Sequence, residues 1–175
     1  MIKICSLLVV FFLYTVSVYA TKVAVIDINF LIENSIHFKE ISKKINSSQI
    51  QVKDNFQTTE QNLLQKKSDL EDSKLILSNE EFNLKKEEYY IEVSKFEEDV
   101  LKFNNHYEKE IIKIKNIIFA KITELIQEHA SLNGIELIIE KNQYLIAADT
   151  ININEIIFET LNKSKIELNF EIYEN

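Results

Sequence analysis

The fold of this chain is decided by the stretch Leu77-Ser78-Asn79-Glu80-Glu81, which interrupts a long region, residues 36–132, without glycine or proline. Ser78 and Glu81 have the spacing of a capping box, in which each side chain satisfies a backbone N–H of the other residue where a helix begins. The rest of the region is rich in Glu, Lys, Gln, Leu and Ile, which favour helix. The sequence therefore predicts two long helices joined by a turn near residue 78.

The apolar residues of both predicted helices recur every seven residues, the pattern of a left-handed coiled coil. Helices of about forty and fifty residues would each span roughly 60 to 80 Å and would need a partner along that length. We therefore predict a long antiparallel coiled-coil hairpin. The first helix carries the row Phe56, Leu63, Leu70 and Leu77; the second carries the rows Phe82, Tyr89, Phe96, Phe103 and Val93, Val100, Tyr107, Ile114.

The second helix has a broader apolar face than the first, whose complementary positions are mostly polar. Its aromatic residues can be interpreted as the seam of the coiled coil or as a surface for apolar partners. Both interpretations can hold, because a narrow row on one helix cannot cover a broad row on the other. The candidate partner-facing surface, called the aromatic stripe below, consists of Phe56, Phe82, Tyr89, Phe96, Phe103 and Tyr107.

Short apolar segments flank the helical region and predict a small sheet built from both ends of the chain. Residues 22–27 and 135–140 have strand length and composition, and residues 143–148 follow a tight turn as a third strand. Gly134 is suited to end the long helix in the left-handed conformation. Asn152 or Asn154 can cap a last short helix, and the alternation in residues 166–170 allows an edge strand.

The predicted fold class is therefore α+β and mostly α, with the hairpin inserted in a small β-sheet body. The body comprises residues 21–35 and 133–163, the hairpin residues 36–132, and an acidic tail residues 164–175. Such a body has too few residues to bury a large core. We therefore expect an obligate oligomer, in which other copies of the chain supply the missing burial.

The first twenty residues have the pattern of a signal peptide, with Lys3 before the apolar run 4–16 and small residues before a cut after Ala20. The alternative is an uncleaved membrane anchor, although the run is shorter than the about 20 residues that a span requires. Cleavage leaves 19 lysines against 28 acidic residues, a charge of −9, and removes Cys5. No disulfide can then stabilise the exported chain.

The composition argues against several classes of function. A chain with a single glycine and no proline is unsuited to be a nucleotide enzyme with a glycine-rich loop. The absence of arginine and the net charge of −8 argue against nucleic acid as a binding partner. His37, His106 and His129 are far apart and have no metal-ligand spacing. We therefore expect no enzyme activity, no metal and no cofactor.

Three segments resemble the Skp/OmpH family of periplasmic chaperones. Residues 22–35 resemble the opening strand and first helical turn of that family, residues 135–148 its closing strand pair, and residues 152–162 its terminal helix. The order of signal, strand, long hairpin, strand pair and short helix is also that of the family. The resemblance covers residues 22–163.

This resemblance implies a periplasmic homotrimer whose sheets associate while three hairpins surround a cavity. The cavity would hold unfolded outer-membrane β-barrel proteins without ATP, since an exported barrel strand can satisfy neither its backbone nor its lipid-facing side chains. Members of the family are commonly basic, whereas this mature chain is acidic, which argues against lipopolysaccharide binding. The alternative function is a structural coiled-coil protein of the envelope, in which helix packing consumes the aromatic stripe.

Overall fold

The computed structural model describes residues 21–174 of the chain. The predicted signal peptide, residues 1–20, lies outside the described residues. The fold is α+β and mostly α, as the sequence predicts. Its elements are β1 (Val23–Ile26), α1 (Ile28–Asn34), α2 (Ile36–Ser73), α3 (Asn79–Asn133), β2 (Leu137–Glu140) and α4 (Asn154–Lys163), with 3₁₀ turns at Lys141–Gln143 and Asp149–Ile151.

The two long helices form a hairpin whose ends have the predicted caps. The Ser78 hydroxyl accepts the Glu81 N–H, and the Glu81 carboxylate accepts the Ser78 N–H at 3.1 Å, which completes the capping box. At the far end of α3, Gly134 has φ +63° in the left-handed region, and its N–H bonds to the Ala130 carbonyl. Both local predictions are confirmed, because each depends on residues within one turn of helix.

A buried serine separates α1 from α2. The Ser35 hydroxyl donates to the Ile32 carbonyl at 2.8 Å and accepts the Phe38 N–H at 3.2 Å. One side chain therefore ends the first helix and begins the second, which lets the chain change direction between the body and the hairpin.

The sheet has two parallel strands, paired from Val23 opposite Leu137 to Ile26 opposite Glu140. The predicted third strand, residues 143–148, is wrong. The Lys141 ammonium bonds to the Asp27 carboxylate at 2.7 Å, so the chain after β2 folds into a 3₁₀ turn over the strand ends instead of reversing. Beyond the turn, the chain meets β1 again at the isolated bridge between Val25 and Asn152.

The last helix begins without the predicted asparagine cap. Ile153 occupies the cap position, and the Asn152 side chain accepts the Asn154 N–H at 2.9 Å. The Asn154 side chain instead accepts the N–H of Asp27 at 2.7 Å, which ties the start of α4 to the end of β1. The predicted cap is wrong because the Asn154 side chain bonds to Asp27, which is distant in sequence.

The core lies at the base of the hairpin, where β1, α1 and α4 pack against the inner parts of α2 and α3. Between residues 57 and 102, in contrast, Leu63 is the one buried side chain. The hairpin therefore has a thick inner part and a thin outer part. The residues most completely buried are Ile26, Leu31, Ser35, Ile45, Ile114, Ile118, Ile122, Ile157 and Leu161.

Within residues 21–174, none of the helices combines the length and the apolar character that crossing a membrane requires.

Candidate functional site: the hairpin surface

The inner part of the aromatic stripe is a cluster of rings in the seam between α2 and α3. The Phe56 ring meets Phe96 at 6.0 Å and Phe103 at 5.3 Å between centroids, both edge to face, and Phe103 meets Tyr107 at 5.0 Å. Phe103 and Tyr107 are buried, while Phe56 and Phe96 are half-buried. Edge-to-face contacts between aromatic rings stabilise such a seam beyond the area that they bury.

The outer part of the stripe is less covered. Phe82 and Tyr89 are half-buried, and Tyr90, which lies 5.6 Å from Tyr89 between ring centroids, is mostly exposed. The two helices are joined there by an exposed ion pair, with the Lys66 ammonium 2.7 Å from a Glu92 carboxylate oxygen. Exposed pairs of this kind add little to stability, so the outer seam is held weakly.

Two open grooves run beside the inner cluster. One, of about 370 Å³, is walled by Phe56, Phe96 and Val100, and the other, of about 380 Å³, by Tyr107 and Ile111 among others. They adjoin each other, because Lys53, Phe103 and Asn104 line both. The edges of stripe residues therefore form the floor of a shallow apolar channel along one flank of the hairpin.

The outer hairpin also exposes apolar residues outside the predicted stripe. They include the hairpin tip, where the Leu75 and Ile76 side chains are 95% and 84% exposed. Heptad reasoning missed them because they fall outside the rows, although the apolar run before Ser78 is a signal that could have found the tip. The remaining members are Leu64, Leu84, Tyr90, Ile91 and Leu101, each more than half exposed.

Several neighbours shift the pKa of Asp27, an acidic side chain of the body. Partial burial acts to raise the pKa of Asp27, but hydrogen bonds from the Lys141 ammonium and the Phe30 N–H outweigh it and hold the pKa below its ordinary value near 3.8. On the hairpin, the exposed pair of Glu98 and Lys102 lowers the pKa of the carboxyl and raises that of the ammonium through their hydrogen bond. In both pairs the lysine partner favours the charged form of the carboxyl group.

The three histidines lie apart, each with a different partner. His37 bonds to the Leu161 carbonyl at 3.0 Å, His106 to the Glu171 carbonyl at 2.8 Å, and His129 contacts its neighbour Asn133. No three His, Cys, Asp or Glu side chains of residues 21–174 come together as a metal site would require.

The tail, described to residue 174, lies against the hairpin in an extended path. Ile166, Leu168, Phe170 and Tyr173 pack against the core, and the residues between the first three are exposed. The alternation seen in the sequence is therefore present, but the predicted edge strand is wrong, because the tail joins neither β1 nor β2. Its partners are side chains of α3.

Comparison with known proteins agrees with this architecture. The sequence model of the family "OmpH: Outer membrane protein (OmpH-like)" matches residues 22–161. The fold is similar to the crystal structure of a candidate outer membrane chaperone (OmpH-like) from Caulobacter crescentus, with a TM-score of 0.70, 11% identity, and coverage of 89% of this chain and 92% of that one. A search of curated proteins found no match. The chain belongs to the OmpH-like family.

Proposed function

We propose that this protein is an ATP-independent holdase that binds unfolded outer-membrane β-barrel proteins and prevents their aggregation. The observation that carries this proposal is the set of exposed apolar side chains on the outer hairpin, which includes Leu64, Ile91, Leu101 and the tip. A barrel strand outside the membrane exposes apolar side chains and unpaired backbone groups. Many shallow apolar contacts, spread over a long hairpin, would hold such a chain without a specific pocket.

Binding would depend on apolar contact more than on charge. The mature chain carries −9 and no arginine, so attraction to acidic clients or to lipopolysaccharide is not expected. Because exposed charges are screened by salt, client binding by this protein should change little as the salt concentration rises.

In an oligomer of this chain, the small sheet bodies of the copies would contact one another. β2 pairs with β1 on one side only, and Leu145 and Ile146, which follow it, are 95% and 86% exposed. Contact between bodies of several copies would cover this apolar surface and the strand edge. We propose a homotrimer, with the hairpins projecting around a shared cavity.

The proposed location is the periplasm, reached by a signal peptide cleaved after Ala20. N-terminal sequencing of the exported protein should give Thr21 as its first residue. An intact Met1 terminus in a membrane fraction would instead identify an anchored form. No enzyme activity and no cofactor are part of the proposal.

The holdase function can be tested with the mature chain, residues 21–175, and a urea-unfolded outer-membrane barrel protein diluted rapidly into buffer. We expect suppressed light scattering without ATP, and a complex of three chains with one client by size-exclusion light scattering. Unchanged scattering in the presence of a well-folded oligomer would overturn the proposal. It would favour the structural coiled-coil function, in which the stripe serves only helix packing.

A further inference from the structure

We infer that the flank of α3 under the tail is a binding site for one extended, alternating apolar strand, and that the tail is a built-in competitor for it. The site is formed by Phe103, His106, Tyr107 and Glu110. Its identification with client strands rests on the proposed holdase function.

The tail backbone is held by side chains of the hairpin. The Glu110 carboxylate accepts the Glu171 N–H at 3.2 Å, and His106 Nε2 donates to the Glu171 carbonyl at 2.8 Å, since a carbonyl can only accept. The Tyr107 hydroxyl accepts the Tyr173 N–H at 3.4 Å. Every polypeptide offers these backbone groups, so this part of the recognition does not depend on sequence.

The side chains of the tail add a requirement for alternation. Ile166, Leu168 and Phe170 point to the core at every second residue, as on a strand. Tyr173 then packs its ring edge to face on Phe103, with 5.5 Å between centroids. A membrane β-strand has the same period of two over about 9 to 11 residues. The tail keeps this period over residues 166–170, and its next inward side chain, Tyr173, follows Phe170 by three residues.

Tyr107 and Glu110, the two buried polar side chains of the site, keep partners when the tail leaves. Tyr107 also bonds to the Ser48 hydroxyl at 3.2 Å, and Glu110 forms an ion pair with Lys113 at 3.4 Å. The site would therefore not be left with unpaired buried groups, whose cost would otherwise fix the tail in place. This favours an exchangeable occupant over a permanent part of the core.

The tail also lies beyond the residues that the family model matches. α4 ends where the Ser164 hydroxyl bonds to the Leu161 carbonyl at 2.6 Å, and the family match ends at residue 161. The tail site and the open grooves share Phe103 and Tyr107, but their other residues lie on different sides of α3. At about 100° per residue, His106 and Glu110 project from one side of α3, and Asn104 and Glu108, which line a groove, from the other.

Linkage makes the tail an effective competitor. A segment joined by a short connection has a local concentration in the millimolar range. If the tail itself binds the site with an intrinsic dissociation constant of about 0.1 mM, its occupation of the site lowers the apparent affinity for any free strand about tenfold. Removal of the tail should restore it.

The experiment uses a fluorescein-labelled synthetic peptide of residues 164–175 and measures anisotropy with two chains, 21–175 and 21–163. We expect about tenfold tighter binding to the shorter chain, and displacement of the probe by an unlabelled peptide copied from a transmembrane strand of a barrel protein. Equal affinity for the two chains, or failure of the strand peptide to displace the probe, would overturn the inference.

A matched pair of point variants keeps the full chain intact. Phe170→Ser removes an inward side chain of the tail, whereas Ile172→Ser changes an outward one that is 61% exposed. The first should raise probe affinity several-fold and the second should leave it unchanged. If Phe170→Ser lowers thermal stability without raising probe affinity, the tail is a structural strap and the inference is wrong.

The scattering assay separates this inference from the holdase proposal. Suppressed aggregation by the full chain, with no gain in probe affinity on truncation, would overturn the strand site alone. Tighter probe binding to the shorter chain, displaced by the strand peptide but with no suppression by either chain, would support the site and overturn the holdase function.

Discussion

The inner and outer parts of the hairpin belong to the same two helices but differ in what covers them. Ile114, Ile118 and Ile122 on the inner part are fully buried, because β1, α1 and α4 pack there. On the outer part, α2 and α3 have only each other, and Leu63 alone is buried between residues 57 and 102. A two-helix seam can bury only a narrow stripe, so the outer hairpin leaves apolar side chains exposed.

The largest expected effect is on stability, and it comes from changing two residues of the aromatic stripe that lie one heptad apart. Phe103→Ser should lower the free energy of unfolding by about 3 to 5 kcal/mol, because this buried ring contacts Phe56, Tyr107 and Tyr173. Phe96→Ser should cost less than half as much, because Phe96 is half-buried. Urea denaturation followed by circular dichroism measures both. Equal losses would show that the seam is uniformly packed.

The second prediction concerns client holding by the hairpin tip. The double change Leu75→Ser and Ile76→Ser removes side chains that are almost fully exposed, so stability should change by less than about 0.5 kcal/mol. Suppression of client aggregation should weaken several-fold, because lost contacts with the client are not replaced. Lys74→Ser, a change of the neighbouring polar residue, is the control. Full activity of the double variant would exclude the tip from binding.

Features of the fold that depend on neighbouring residues could be predicted from the sequence. The turn at Ser78, the end of α3 at Gly134 and the heptad rows are such features, because a cap or a helix face is specified within a few residues. The wrong third strand has a different cause. Lys141 bonds to Asp27, 114 residues earlier, and no local pattern indicates that pair.

The same distinction applies to the candidate site. Heptads identified the aromatic stripe, but which of its residues are buried depends on elements from both ends of the chain. Phe103 is covered partly by Tyr173, 70 residues later, and Glu110 and His106 bond to the tail. The alternation of the tail was visible in the sequence, but its partner was not.

The third prediction uses the capping box at Ser78 to test whether the tip of the hairpin unfolds separately from its base. Ser78→Ala removes the hydroxyl that accepts the Glu81 N–H and should cost about 1 kcal/mol if α3 unfolds with the whole chain. If the outer hairpin opens by itself, as its thin seam suggests, the loss should appear as faster amide hydrogen exchange near residue 81 with little change in global stability. Slower exchange at the tip than at the base would contradict the comparison.

The smallest expected effect comes from removing an ion pair in the body, between Lys141 and Asp27. Because the pKa of Asp27 is held below its ordinary value, the pair stabilises the fold at pH values above about 4, and this contribution is lost as the pH falls through the lowered pKa. Lys141→Met should therefore lower the urea midpoint slightly at neutral pH, by little because Lys141 is mostly exposed. The two midpoints should converge as the pH falls below 3.8.

Lys163→Met is the matched control for this change. Its ammonium pairs with Glu159 on an exposed turn of α4, where both side chains are at least 60% exposed, so its loss should leave the pH dependence of stability unchanged. If Lys141→Met and the parent chain still differ at the lowest pH, the lysine acts through packing of its methylene groups over the strand ends. The ion pair would then not be what directs the chain away from a third strand.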